Sequence, residues 1–182
     1  MPAATTCNLP NRKRRPGRLT ARRIINPARA SCLSIFATSR TPEPRVCPLA
    51  GRPEPTGAPD PIEGAFMFQR GGVYYLFASY DYCCKGVRST YCTAYGRSRE
   101  VTGPFLGRDG GAMPDGRGTV ILRADLKEKR RWRGPGGCGV LRDGARDYIV
   151  YHAYDAWHHG IPTLWIAPLS WSSDGWPTAE TD

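Results

Sequence analysis

The sequence has no long hydrophobic run, few acidic residues in its first third and too few helix-compatible stretches for a bundle. No apolar stretch approaches the roughly 18 residues that a membrane-spanning helix needs, so we expect no membrane partner. The 21 glycines and 17 prolines argue against a helical bundle, because both residues interrupt helices. Nine Tyr, five Trp and five Phe argue against a wholly disordered chain. A turn-rich, aromatic, all-β protein remains.

The formal charge of +10 is concentrated at one end of the chain. Residues 1–60 carry 11 Lys and Arg against three acidic residues, together with ten of the 17 prolines. This composition predicts a disordered basic N-terminal arm over residues 1–60, followed by a nearly neutral body over residues 61–182. Phe36 is the only aromatic residue before Phe66. Base-stacking groups are therefore scarce beside the charges, and we expect no nucleic-acid partner.

The body contains two copies of one β pattern. In the first, a hairpin joins Ala65–Gln69 to Val73–Ser79 and a further strand follows at Tyr91–Arg97. The second copy has strands at Cys138–Leu141, Tyr148–Ala153 and Thr163–Leu169. Matching residues lie 72 to 74 positions apart, as between Tyr75 and Tyr148. Such a repeat predicts propeller blades, and two blades cannot close a ring.

Long motifs in the body then point to a family. They are Ile62-Glu63-Gly64-Ala65-Phe66, Tyr74 to Val87, Ser89-Thr90-Tyr91, Gly96-Arg97-Ser98, Trp132 to Gly136, Tyr151-His152-Ala153-Tyr154-Asp155 and Asp174-Gly175-Trp176-Pro177. Over residues 61–178 the chain resembles the arabinan-degrading enzymes of glycoside hydrolase family 43. The resemblance implies the C-terminal part of a five-bladed β-propeller, about two blades, and a polysaccharide partner, the arabinan side chains of pectin.

The same resemblance implies an inverting hydrolysis of α-1,5-linked arabinan by three carboxylates. Glu63 stands at the position of the general acid. The family's base and its second aspartate, which tunes the acid and holds the sugar, lie in earlier blades. The corresponding stretch here is the basic arm, where Asp60 is the only aspartate and no motif matches. An inverting enzyme also keeps acid and base about 6.5–9.5 Å apart to admit a water.

Four further residues are candidates for contact with the sugar: Tyr80, Cys83, Cys84 and His152. Flat aromatic faces stack on sugars, although most strand aromatics pack in a core; we single out Tyr80 because it adjoins the loop of the groove. The adjacent cysteines form either a stiff loop beside the groove or two partly buried thiols. His152 either packs within its strand or lines the central cavity.

No metal or other cofactor is expected. Cys83, Cys84 and Cys92 lack the spacing of a zinc site, and the odd total of seven cysteines defines no disulfide framework. Family members carry a channel ion held by a His after Gly-Pro-Gly, whereas that position here is Gly137, which has no side chain to donate.

The leading interpretation is therefore a glycoside hydrolase that is incomplete as an enzyme. The alternatives are a non-catalytic carbohydrate-binding remnant and a non-functional gene fragment. The resemblance favours an extracellular location, although no signal peptide is evident in the sequence. Unpaired blade faces predict self-association, with the residues that form those faces expected to be Tyr75, Leu76, Phe77, Ile149 and Val150.

Overall fold

The computed structural model describes residues 46–53, 61–123 and 131–181. The residues from Pro48 onward belong to one compact unit. Its strands are β1 (Ile62–Arg70), β2 (Val73–Tyr80), β3 (Cys92–Ser98), β4 (Thr119–Arg123), β5 (Trp132–Asp143), β6 (Arg146–Asp155), β7 (Ile161–Trp171) and β8 (Pro177–Ala179). Three short 3-10 helices occur at Gly86–Arg88, Met113–Asp115 and Ala156–His158. Within the described ranges, no helix has the length and hydrophobicity to cross a membrane.

The strands form two antiparallel sheets in which each strand pairs with the next one along the chain. The first sheet has the order β1-β2-β3-β4 and the second β5-β6-β7-β8. Gly71 and Gly72 connect β1 to β2, and both have positive φ angles of 57° and 75°. That conformation suits a tight hairpin and favours glycine. A four-stranded meander is the form of a propeller blade, so the predicted partial propeller of two blades is confirmed.

One face of each sheet is buried against the other sheet. Alternate residues of β2, Tyr75 and Phe77, meet Ile149, Tyr151 and other residues of the second sheet in a shared core. Hydrogen bonds also cross between the blades: the Tyr75 hydroxyl donates to the Gly175 carbonyl at 2.7 Å. The prediction that Tyr75, Phe77 and Ile149 form unpaired faces is therefore wrong, because the two blades cover these residues mutually.

The other face of the first sheet is covered from within the same unit. Leu76, Ala78 and Tyr80 pack with Phe105 and Met113 of the long β3–β4 connection, and Leu49 and Ala50 lie against this cluster. Leu76 is thus buried as well, contrary to the predicted exposed face.

Residues 48–53 belong with the body rather than with the basic arm. The Gly51 amide donates to the Met113 carbonyl at 2.9 Å, and the Arg52 guanidinium pairs with Asp81 at 2.9 Å. The predicted disorder covered residues 1–60, of which residues 1–45 and 54–60 lie outside the described residues, as does the predicted boundary after residue 60. The folded unit nevertheless begins before residue 61.

The outer face of the second sheet differs from the others. Leu141 of β5 and Leu164 and Ile166 of β7 are 50%, 75% and 56% exposed. Strand register places them on one face of the sheet. Leu141 pairs with Tyr148 and Ile166 pairs with the half-buried Val150, and Tyr148 and Val150 lie two residues apart on β6. Among the described residues, this is the sheet face with a concentration of exposed aliphatic side chains.

Candidate active site

Glu63 lies at the second position of β1, next to an irregularity in that strand. The β1–β2 pairing shifts register between Glu63 and Phe66, which marks a bulge. Gly64 adopts a φ of +61°, and a Cβ there would stand 3.3 Å from the Ser79 hydroxyl oxygen. A residue with a side chain is disfavoured there by both conformation and space. The bulge bends the strand and leaves the Glu63 side chain exposed at the end of the sheet.

The Glu63 carboxylate is held by a tyrosine from a different part of the same blade. The Tyr91 hydroxyl donates to Oε1 of Glu63 at 2.6 Å, and Tyr91 is only 2% exposed. Burial, reinforced by this hydrogen bond, raises the pKa of the Tyr91 hydroxyl far above its ordinary value. Tyr91 therefore stays protonated and remains a donor at any physiological pH. A short hydrogen bond to a carboxylate is among the stronger kinds in proteins.

The Tyr91 ring occupies space that the second blade leaves open. A Cβ added at Gly136 of β5 would lie 2.2 Å from two ring carbons of Tyr91, so any larger residue there would collide with the ring. The next residue, Gly137, donates its amide to the Ser79 hydroxyl oxygen at 2.8 Å. Ser79 pairs directly with Glu63 in the β1–β2 ladder. Both blades thus contribute to the surroundings of Glu63.

His152 joins this group from β6. It pairs with Gly136 across the β5–β6 ladder, and its ring centroid lies 5.7 Å from that of Tyr91. Burial lowers the pKa of His152, and the negative charge of Glu63 partly opposes that shift. The imidazole is therefore predominantly neutral at pH 7 and lies within the electrostatic reach of Glu63.

The two adjacent cysteines form a disulfide in the loop between β2 and β3. The Cys84 amide donates to the Tyr154 hydroxyl at 2.9 Å, and the ring of Tyr154 lies edge-on to His152 with 5.4 Å between centroids. The loop of the first blade is thereby attached to the second blade. The sequence left open whether these cysteines form a stiff loop or two partly buried thiols. The structure shows a disulfide rather than two thiols.

Four of the five residues singled out from the sequence consequently form a continuous group: Glu63, Cys83, Cys84 and His152. Tyr80 does not join it. Its ring is 2% exposed and packs in the core beneath the β3–β4 connection, with the Arg52 guanidinium 5.3 Å from the ring centroid. No face of the Tyr80 ring is open to a sugar in this structure. Side chains alternate between the two faces of β2, and those of the even-numbered residues point into that core.

Tyr91 and Ser79 are the polar side chains next to Glu63 that the sequence did not single out. Tyr91 is part of the motif Ser89-Thr90-Tyr91, and strand aromatics are usually core residues. The signal in the sequence that could have pointed to Tyr91 was Gly136, because a glycine within a strand often marks the close approach of another group.

Gly137, at the position where the resembled family carries its ion-binding His, has no side chain to donate. Gly137 has a φ of +60°, and a Cβ there would lie 3.0 Å from Nδ1 of His152, so the imidazole occupies the adjacent space. In the part of the chain that the structure describes, no group of three His, Cys, Asp or Glu side chains is arranged to hold a metal ion.

The coupling between Glu63 and His152 yields a measurable expectation. Replacing Glu63 with Gln removes the negative charge that raises the pKa of His152, so that pKa should fall further below its ordinary value in E63Q. NMR titration of the three histidines measures it. Glu100→Gln, which removes an exposed carboxylate elsewhere, should leave the His152 titration unchanged. An unaltered His152 titration in E63Q would show that the two side chains are not electrostatically coupled.

Comparison with known proteins agrees with the geometry. The model of the glycosyl hydrolases family 43 matches residues 45–177. Over 130 residues the chain is 43% identical to the extracellular endo-α-(1→5)-L-arabinanase 1 of Bacillus subtilis. The matched segment covers 71% of this chain and 37% of that relative.

Solved structures give the same result. The family 43 endo-arabinanase from Bacillus licheniformis matches with a TM-score of 0.63 and 43% identity, covering 75% of this chain and 44% of that one. The Cellvibrio cellulosa α-L-arabinanase complexed with arabinohexaose matches with a TM-score of 0.64 and 36% identity, covering 68% and 38%. The chain therefore spans about two fifths of the length of these relatives.

Proposed function

The chain belongs to the glycosyl hydrolases family 43, and we propose that it supplies the general acid of a site that cleaves α-1,5-linked arabinan with inversion. Glu63 is that acid in the proposal. The named relatives are arabinanases, and one of their structures holds arabinohexaose, which supports arabinan as the polysaccharide. The proposed sugar-facing residues are the linked Cys83 and Cys84 and the neighbouring His152.

The observation that carries the proposal is the way in which Glu63 is held. One oxygen of its carboxyl group accepts the Tyr91 hydroxyl at 2.6 Å, while the residue as a whole remains exposed. A surface glutamate with no role is usually mobile and solvated. A carboxyl group that is fixed on one side and open on the other is suited to exchange a proton with a bound ligand.

In an inverting hydrolysis the acid and the base act on opposite faces of the sugar. Glu63 would transfer its proton to the glycosidic oxygen while the bond from that oxygen to the anomeric carbon breaks. A second carboxylate would take a proton from the attacking water, whose oxygen forms the new bond. The sequence has no match to the family's two aspartate motifs, so the chain by itself would lack the groups for the second half of the step.

A second candidate function is sugar binding without turnover. It is favoured by the same mismatch, because a groove that retains the acid side and the disulfide-linked loop could still hold an oligosaccharide. The two candidates differ in one measurable respect: the enzyme releases reducing ends from arabinan, whereas the binding protein does not.

We expect the purified chain to show negligible endo-arabinanase activity on linear arabinan. General acid assistance alone contributes about 10²–10⁴-fold, which is a small part of a glycosidase's acceleration. A reducing-end assay measures it, with E63Q as the control. A turnover within about tenfold of the common enzyme median of about 10 s⁻¹, abolished in E63Q, would contradict this expectation and show that another carboxylate of the chain acts as the base.

Calorimetric titration with arabinohexaose separates the remaining cases. Binding by the chain, and by E63Q, with no turnover identifies the carbohydrate-binding function. If neither protein binds or hydrolyses the oligosaccharide, the proposed site is not functional in this chain.

A further inference from the structure

The hydrogen bond between Tyr91 and Glu63 lies beside the second blade, because a Cβ at Gly136 of β5 would reach the Tyr91 ring. The Tyr91 hydroxyl donates to Oε1 of Glu63 at 2.6 Å. The Gly137 amide of β5 donates to the Ser79 hydroxyl oxygen at 2.8 Å, and Ser79 pairs with Glu63 in the β1–β2 ladder. Ser79 is fully buried and Tyr91 nearly so, so water has little access to the Tyr91 hydroxyl.

A hydroxyl group has one proton to donate, and the Tyr91 hydroxyl directs its proton to Oε1 of Glu63. If Glu63 instead donated a proton to Tyr91 through Oε1, the Tyr91 proton would lose this acceptor. A buried donor that loses its partner is unfavourable.

We infer that Tyr91 is a positioning residue that assigns the two oxygens of Glu63 different roles, keeping Oε1 as an acceptor so that the acid proton resides on Oε2. This inference rests on the proposed function of Glu63. It goes beyond the identification of the acid, since it names the oxygen that carries the proton and the residue that determines it.

The surrounding structure keeps this arrangement in place. The Tyr91 ring lies against Gly136, where an added side chain would collide with it. The bulge after Glu63, with Gly64 in the left-handed region, sets the direction of the carboxyl group. Backbone features thus adjoin both ends of the Tyr91–Glu63 hydrogen bond.

The proton balance of the proposed step follows. The Oε2–H bond breaks as the glycosidic oxygen takes the proton, and the electrons of the breaking glycosidic bond remain on that oxygen. Glu63 becomes a carboxylate, and Tyr91 continues to donate to Oε1. A donor that is already in place when the negative charge develops needs no reorganisation at that moment.

Carbon NMR of the chain labelled at the glutamate carboxyl carbon tests the inference directly. The Glu63 resonance is identified by its loss in E63Q. In Tyr91→Phe, which keeps the ring and removes only the hydroxyl, we expect the Glu63 resonance to move at constant pH. Tyr75→Phe is the matched control, since Tyr75 is equally buried and its hydroxyl donates at 2.7 Å to Gly175, away from Glu63. Its Glu63 resonance should stay in place.

The reciprocal measurement excludes a merely structural effect. In the chain labelled at the tyrosine ring carbon that bears oxygen, the Tyr91 resonance should move in E63Q. A Glu63 resonance that is unchanged in Y91F, or a Tyr91 resonance unchanged in E63Q, overturns the inference.

Arabinohexaose titration of the same variants keeps this result apart from the proposed function. Tyr91 is buried behind Glu63, so Y91F should bind the oligosaccharide within about twofold of the unmodified chain. A shifted Glu63 resonance in Y91F supports the inference whether or not the sugar binds. Absence of binding in every variant counts against the proposed function alone. A loss of binding confined to Y91F would overturn the positioning role and indicate that Tyr91 contacts the sugar.

Discussion

The full chain at high concentration is expected to scatter light as oligomers rather than as a monomer. The outer face of the second sheet exposes Leu164 and Ile166 of β7 and, across β6, Leu141 of β5. Exposed apolar patches beyond a few hundred Å² commonly drive association. In a closed propeller each sheet packs against two neighbours. The second sheet has one such neighbour among the described residues, the first sheet, and its other face is uncovered there.

Changing that face should change the assembly without changing the fold. The double variant Leu164→Lys with Ile166→Lys adds charge where both side chains are already largely exposed, so we expect a shift to monomers with little effect on the melting temperature. Val101→Lys is the matched control, because Val101 is 50% exposed in the turn after β3 and lies outside both sheets. Multi-angle light scattering after size exclusion makes the comparison.

The outcome can refute the propeller-fragment interpretation of this face. A clean, concentrated monomer of the unmodified chain would show that the face is covered in solution. Equal association of the double variant and the unmodified chain would place the contact elsewhere. The basic first 60 residues oppose association through their charge, so removing residues 1–47 while keeping the packed segment 48–53 should increase scattering.

The sequence predicted the strands well where the hydrophobic pattern was long. β1 to β3 and β5 to β7 lie where the two copies of the repeat placed them, and the Gly71-Gly72 turn joins β1 to β2. The outer strands β4 and β8 were not predicted. β4 has five residues and β8 only three, and strands this short carry too little alternation to be distinguished from the connecting turns.

The sequence did not determine which side of each strand is covered. Tyr75, Leu76 and Phe77 follow one another in β2, so they alternate between its two faces. The structure buries all three, two against the second sheet and Leu76 against the β3–β4 connection. The face that remains exposed depends on which other elements pack against each sheet. This packing is a property of the folded unit as a whole and cannot be inferred from the local sequence pattern.

The candidate site shows the same limit. The family motif identified Glu63, the resemblance supported the Cys83-Cys84 loop, and His152 was a candidate from its position within a strand. The partner of Glu63 was missed, since the hydrogen bond from Tyr91 depends on a bulge in β1 and on a glycine 45 positions further along the chain in β5. Packing between the two blades brings these residues together, and the spacing of residues along the sequence does not predict it.

Gly136→Ala therefore tests the part of the site that only the structure shows. The added methyl group would lie 2.2 Å from two Tyr91 ring carbons, far inside van der Waals contact, and overpacking of this kind destabilises by about 1–3 kcal/mol. Gly136 does not have a positive φ, so the cost arises from space and not from the backbone. Urea unfolding should show the loss, and displacement of Tyr91 should move the Glu63 carboxyl resonance.

Gly139→Ala is the matched control, because it lies on the same strand and its added methyl group would meet the Phe66 ring at an ordinary 3.6 Å. We expect G139A to change the free energy of unfolding by less than about 1 kcal/mol. A double-mutant cycle then identifies the cause: Tyr91→Ala removes the ring, so Gly136→Ala should cost much less in that background than in the unmodified chain. Additive costs in the cycle would mean that the glycine at position 136 is not required by Tyr91. The cross-blade support of Glu63 would then have to come from Ser79 and Gly137 alone.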